Sequence, residues 1–99
     1  MAQDMLTAAR DALRIPSDVT AYDSEISVLI DAARSELRAG GVSSDKASDD
    51  EDGSIRLAIM TYVRANFGMD NPDADRLTAA FDSMRCSMAG NHEYNRSDS

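Results

Sequence analysis

The chain has 99 residues, of which 42% are hydrophobic and 28% charged, with one cysteine and no tryptophan. This length and composition predict one soluble globular domain with a small core, and they exclude a disordered chain. The formal net charge of −8 argues against ordinary duplex binding, because affinity for DNA depends largely on neutralising phosphates.

Apolar positions at a spacing of 3.6 residues predict four helices and no strand. The first helix covers about residues 2–13 and stops before Pro16, since the residue preceding a proline is driven out of the helical conformation. The second carries a continuous apolar stripe from Tyr22 to Leu37 and ends at Gly40 and Gly41. A polar, acidic loop over residues 42–52 separates the second helix from the third.

The third predicted helix, residues 54–67, is apolar on nearly every side. Leu57 and Met60 point away from its main apolar face, by roughly 140–200° at 100° per residue. Either they pack on the first helix, or they belong to an interface between subunits. The second helix has a similar stripe of small residues, Val28, Ala32 and Ala39, opposite its core face.

The fourth helix is predicted to begin with Asn71 as its N-cap and Pro72 in the first helical position, and to run to about residue 89. The resulting fold is an all-α bundle of four helices with an acidic loop between helices 2 and 3. We expect residues 1–89 to form the helical domain and residues 90–99 to form a polar, flexible tail.

Motifs for chemistry are weak in this sequence. The stretch "SDDEDG" places Asp50 and Asp52 like calcium ligands, but Ile59 falls where an EF-hand loop requires a glutamate. Cys86 and His92 have no second Cys or His with which to complete a zinc site, and nothing orients them as a catalytic pair. The sequence therefore predicts no catalytic residue, no metal and no cofactor.

Targeting and membrane signals are missing as well. No apolar run approaches the ~20 residues that span a bilayer, so we expect no membrane segment. The charged N-terminal residues, including Asp4 and Arg10, are not typical of a signal peptide. The lone cysteine excludes an internal disulfide and indicates a reducing compartment.

The segments 13–42 and 54–84 resemble the small head–tail connector proteins of tailed bacteriophages and prophages. In that family a short L-R-I segment leads into an acidic Y-D-x-E-I-x-x-L-I-x-A-A helix, and an A-I-x-x-Y-V-x-x-x-F-G helix follows a variable loop. The matching residues of the first half are Leu13, Arg14, Ile15, Tyr22, Asp23, Glu25, Ile26, Leu29, Ile30, Ala32 and Ala33. Those of the second half are Ala58, Ile59, Tyr62, Val63, Phe67 and Gly68.

The resemblance implies a structural, non-enzymatic subunit that assembles head to tail, commonly as a dodecamer on the portal at the capsid vertex. Its implied partners are further copies of itself, the portal protein and a downstream neck or tail-completion protein. DNA would pass through the channel without specific binding. The implied location is the virion neck, with the host cytoplasm during assembly.

Two groups of residues become candidates under this interpretation. The candidates for the subunit interface are Val28, Ala32, Ala39, Leu57 and Met60. The candidates for contact with the lumen or a neck partner are Asp45, Asp49, Asp50, Glu51 and Asp52. An acidic lumen repels DNA phosphates and lets the duplex slide.

Two other classes of protein remain open from the sequence. One is a small soluble adaptor or regulatory module that binds a single partner through the third helix. The other is a small DNA-binding helical domain, which ranks last because no helix carries a basic stripe.

Overall fold

The computed structural model describes residues 4–16, 18–68 and 71–95. These residues form five helices: α1 (Met5–Ala12), α2 (Asp23–Ala39), α3 (Ser44–Ala47), α4 (Gly53–Asn66) and α5 (Ala74–Ala89). The described residues contain no strand, and their only β pairing is an isolated antiparallel bridge between Val42 and Asn95. The predicted all-α bundle is confirmed.

The helix α4 lies at the centre of the bundle, and α1, α2 and α5 all pack against it. Its residues Ile55, Ile59 and Val63 are fully buried. Thr61 is also buried, and its hydroxyl donates to the Leu57 carbonyl oxygen at 2.8 Å. The three covering helices explain why this segment of the sequence is apolar on most sides.

Helices α1 and α2 end with the same backbone motif. In each, the N–H of the residue after the turn donates to the carbonyl five positions earlier, at 2.9 Å. The motif places one residue in the left-handed region. That residue is Gly41 (φ 110°) after α2 and Arg14 (φ 61°) after α1. Glycine adopts this conformation freely, whereas a residue with a Cβ does so at a cost of about 1–2 kcal/mol.

The predicted acidic loop over residues 42–52 contains the short helix α3, which the sequence pattern missed. Ser43 caps α3 by accepting the N–H of Lys46 at 3.2 Å. Val42, before α3, and Ala47, its last residue, are fully buried and hold this segment on the bundle. A helix of 4 residues is too short to show an apolar period. The described part of the chain therefore has five helices rather than the predicted four.

The predicted start of the last helix is wrong by two residues. Helix α5 begins at Ala74, while Asn71 Oδ1 accepts the N–H of Asp73 at 3.0 Å in the preceding turn. The Asn71 side-chain amide also donates to the carbonyl of Arg64 at 2.6 Å. Asn71 therefore ties the turn to the end of α4 instead of capping α5.

Candidate assembly surface

Three large apolar side chains are exposed among the described residues: Tyr22 by 46%, Val28 by 66% and Leu57 by 57%. The Tyr22 ring packs edge-on against Phe67, with the ring centroids 5.5 Å apart. The thinnest extent of the molecule is 18 Å, about two helix diameters of ~10 Å each. Such a thin bundle covers most of α4 but leaves the Leu57 side of that helix and the outer faces of the other helices open.

The outer face of α2 carries the predicted stripe of small residues. Val28 lies opposite the buried residues of α2, at roughly 140–200° around the helix axis from them. Ala32 is half-buried and Ala39 is exposed on the same side. Two exposed acids, Glu25 and Asp31, lie about one turn before and after Val28. This face therefore combines an exposed valine with negative charge.

Leu57 lies in a groove of about 340 Å³ between α4, α5 and the segment that follows α5. Uncharged side chains line this groove, among them Ser54, Leu57, Ser83, Met84, Ser87 and Tyr94. In a chain of formal net charge −8, this neutral and partly apolar groove is the second candidate contact face.

The two off-face residues of α4 have different environments. Leu57 is exposed, so the alternative that it packs on the first helix is wrong. Met60 is half-buried and packs against the hydrophobic core. Met60 therefore supports the fold directly, whereas the Leu57 side chain is available to a partner.

The acidic loop is an ordered network around Asp52. This residue caps α4, because its Oδ1 accepts the N–H groups of Ser54 and Ile55 at 2.9 and 3.1 Å. Lys46 Nζ lies 3.4 Å from Asp52 Oδ2. The hydroxyl of Tyr94 donates to the same carboxylate, 3.0 Å from Oδ2. Asp52 therefore joins α3, α4 and the segment after α5.

The pKa values in this network follow from its geometry. Burial by itself raises the pKa of Asp52, but the hydrogen bonds from Ile55, Tyr94, Lys46 and Ser54 outweigh it, so the pKa is lowered overall. Burial by itself lowers the pKa of Lys46, but the Asp52 carboxylate, together with Asp49 and Tyr94, outweighs it, so the pKa is raised overall. Folding therefore favours the charged forms of both groups.

The other acids of the loop divide into two kinds. Asp50 Oδ1 lies 2.8 Å from Arg34 Nη2, and Asp49 Oδ1 accepts the N–H of Glu51 at 3.1 Å. Asp45 and Glu51 have exposed side chains. Three of the five predicted loop residues, Asp49, Asp50 and Asp52, thus interact within the chain, and the exposed pair is left facing solvent.

Sequence reasoning missed Tyr94, which lies in the segment we expected to be a flexible tail. Its carbonyl accepts the N–H of Ser43 at 2.7 Å, and the side chain of Asn95 donates to the Ala89 carbonyl at 3.2 Å. Residues 91–95 therefore contact the bundle, while residues 96–99 lie outside the described residues. A lone tyrosine in a polar segment was the one available signal, since a large amphipathic ring favours a half-buried position.

Other chemistry is sparse over the ranges that the structure describes. There, no group of three or more His, Cys, Asp or Glu side chains is arranged to hold a metal ion. Cys86 and His92 are both exposed. None of the helices in the described ranges is both long enough and apolar enough to cross a bilayer.

Comparison with known proteins identifies the family. A family model described as "Phage connector protein" matches residues 5–95. The chain belongs to this phage connector family. Neither a curated protein nor a solved structure matches it.

Family membership confirms the resemblance to head–tail connectors that segments 13–42 and 54–84 indicated. The match extends beyond both segments, because it includes α1 and the segment that contains Tyr94. As a phage connector, the chain is a virion component that associates with other virion proteins. The interface residues and the loop residues stay predictions.

Proposed function

We propose that this connector is the subunit of a ring on the portal vertex, where it extends the DNA channel and links the head to the next neck or tail protein. The observation that supports the proposal most strongly is the exposure of Val28 and Leu57 on two different helices of a connector-family chain. A ring that closes head to tail covers two different faces of each subunit. It therefore accounts for both exposed side chains at once.

Charge supports a role in lining the channel. Residues 1–52 hold twelve acidic and five basic side chains, whereas residues 53–99 hold six and five. Within the acidic half, Asp45 and Glu51 are exposed at the loop. Carboxylates that face a channel repel DNA phosphates, so the duplex slides without specific binding.

In this proposal the chain has no catalytic step, cofactor or membrane contact. Its partners are neighbouring copies in a ring, the portal protein and the downstream neck or tail-completion protein. Assembly takes place in the host cytoplasm, and the finished ring lies in the virion neck.

The test is to mix the purified chain with the purified portal ring of the same phage and to image the product by electron microscopy. The wild-type chain should form a coaxial ring on the portal. Leu57→Asp should abolish the ring and retain the helical circular dichroism, because Leu57 is exposed. Thr78→Asp is the matched control, because Thr78 is exposed and lies roughly 140° around α5 from the groove residue Ser83. This variant should assemble on the portal as the wild-type chain does.

Two other results would contradict the proposal. A one-to-one complex without a ring would support the small adaptor that binds a single partner. Loss of helical signal in Leu57→Asp would instead assign Leu57 to the fold.

A further inference from the structure

The face of α4 and α5 that holds the groove is uncharged at one end and basic at the other. The two helices are antiparallel: the ring centroids of Tyr62 and Phe81 are 5.0 Å apart, and Leu57, earlier on α4, lines the groove with Ser87, later on α5. Arg64 follows Leu57 on α4 by two turns and lies about 20° around the helix from it. Arg76 precedes the groove residue Ser83 on α5 by the same interval. Both arginines thus lie at one end of the face, away from the neutral groove.

These two arginines are less engaged within the chain than most of the other cations. Arg64 is exposed, and its guanidinium has no ion pair or hydrogen bond within the described residues. The Arg76 side chain is 67% exposed, and its one ion pair, to Asp73, has a distance of 3.6 Å. In contrast, Arg10 and Arg34 are largely covered and lie 2.8 Å from their carboxylate partners. An exposed pair such as that of Arg76 contributes little to stability.

The outer face of α2 has the opposite charge. Val28 is exposed by 66%, and Glu25 and Asp31 lie one turn to either side of it. Both carboxylates are exposed, and neither has an ion pair within the described residues. This face therefore complements the α4–α5 face in two properties: each carries an exposed apolar side chain, and the exposed charges of the two faces are opposite in sign.

We propose that the α2 face of one copy docks on the α4–α5 face of the next copy. In this contact Val28 enters the groove beside Leu57, and Asp31, one turn beyond Val28, faces Arg64 at the basic end of the neighbouring face. The inference rests on the proposed ring and specifies its repeating contact, which is heterologous because the two faces differ.

Charge is the reason for choosing a second copy as the occupant. Two chains of formal net charge −8 repel each other at long range, so a contact between faces of opposite local charge is favoured over other contacts. Leu57 and Arg64 are about 10 Å apart along α4, and Val28 and Asp31 are about 4.5 Å apart along α2, so about 6 Å separates Asp31 from Arg64 along the paired helices. A long arginine side chain spans the difference.

The experiment measures self-association by sedimentation velocity over a concentration series, with the full chain. We expect Asp31→Arg and Arg64→Glu each to weaken association about tenfold or more, because each places like charges opposite one another. The double variant Asp31→Arg/Arg64→Glu should restore association towards the wild-type level. Asp18→Arg and Arg14→Glu are the controls, since they make the same charge changes at exposed sites off both faces.

Three outcomes would overturn the inference. They are unchanged association in both single variants, no recovery in the double variant, and a wild-type chain that stays monomeric throughout the series. None of these outcomes contradicts the proposed function if the wild-type chain still forms a ring on the portal. The proposed function is contradicted by a different result, namely that the wild-type chain forms no ring on the portal. Circular dichroism of each variant excludes loss of fold as the cause.

Discussion

The hydroxyl of Tyr94 donates to the carboxylate of Asp52, 3.0 Å from Oδ2, across 42 residues of chain. The same carboxylate accepts the first free N–H groups of the central helix α4. Tyr94 also forms part of the wall of the groove beside Leu57. The last described segment therefore stabilises the N-terminus of α4 and shapes a candidate assembly face at the same time.

Tyr94→Phe removes the hydroxyl and keeps the ring, whose centroid is 5.1 Å from Lys46 Nζ. We expect the free energy of unfolding to fall by about 1.5 kcal/mol or more, because the hydrogen bond has an ionised carboxylate as its acceptor. Urea unfolding measures the change. Tyr22→Phe is the control, because Tyr22 is exposed and its hydroxyl has no hydrogen bond within the described residues. Equal stability of the Tyr94 variant and the wild-type chain would contradict the role assigned to the hydroxyl.

Asp52→Asn should make the free energy of unfolding less dependent on pH in the acid range. Burial opposes ionisation of Asp52, but its hydrogen bonds lower the pKa below the ordinary value of about 4. The ionised carboxylate therefore stabilises the fold fully above pH of about 4, and this stabilisation is lost as the pH falls through the lowered pKa. The variant should be less stable than the wild-type chain at neutral pH, with the difference narrowing below pH of about 4.

Urea unfolding at a series of pH values measures this difference. The pKa values of Asp4 and Asp23 are also lowered, chiefly by hydrogen bonds from Thr7 and Arg10, but these groups are present in both proteins and cancel in the comparison. Glu51→Gln, at the exposed neighbouring position, should keep the wild-type pH profile. A difference that widens on acidification would show that Asp52 does not act through its charge.

Arg14→Gly should stabilise the chain. Arg14 has a φ of 61° at the end of α1, where a Cβ costs about 1–2 kcal/mol, and part of the gain is lost to the greater freedom of glycine in the unfolded chain. The net rise expected in the free energy of unfolding is about 0.5–1 kcal/mol. Arg14→Ala distinguishes the effect of the backbone conformation from that of the guanidinium. This variant keeps the Cβ, so its midpoint of urea unfolding should stay near the wild-type value. An equal rise in both variants would assign the effect to the guanidinium instead.

Gly41→Ala tests the corresponding left-handed residue at the end of α2, and it adds a Cβ where Arg14→Gly removes one. Gly41 has a φ of 110°, and an added Cβ would lie 3.3 Å from Ala89 Cβ. We expect a loss of about 1–2 kcal/mol in the free energy of unfolding, from the unfavourable conformation of a residue with a Cβ. Thermal unfolding followed by circular dichroism measures the change. A variant as stable as the wild-type chain would show that the turn has a second conformation of equal energy.

The long helices were predictable because each one buries a continuous stripe. For α2 the stripe, the acidic start and the Gly40–Gly41 stop all agreed, and the observed helix Asp23–Ala39 lies within them. Helix α3 was missed because its position depends on the burial of Val42 and Ala47, which follows from tertiary packing and not from a local period. Tertiary contact also decides the start of α5, where Asn71 bonds to the end of α4.

The candidate surface was predictable only in part. A helical wheel placed Leu57 and Val28 off the core faces, and both are exposed. The wheel could not separate Leu57 from Met60, since burial of an off-face residue depends on which neighbouring helix covers it. The roles of Asp52 and Tyr94 lay beyond any local pattern, because 42 residues separate the two partners in the chain.

The comparison of Met60→Ala with Leu57→Ala separates folding from assembly on one helix. Met60 is half-buried against the core, so its truncation should lower the free energy of unfolding by about 1–2 kcal/mol, less than for a fully buried methionine. Leu57 is 57% exposed, and its truncation should change stability by no more than about 0.5 kcal/mol. Urea unfolding measures the first effect, and ring formation on the portal measures the second. We expect Leu57→Ala to reduce ring formation at full stability, whereas the reverse pattern would place Leu57 in the core and Met60 at the interface.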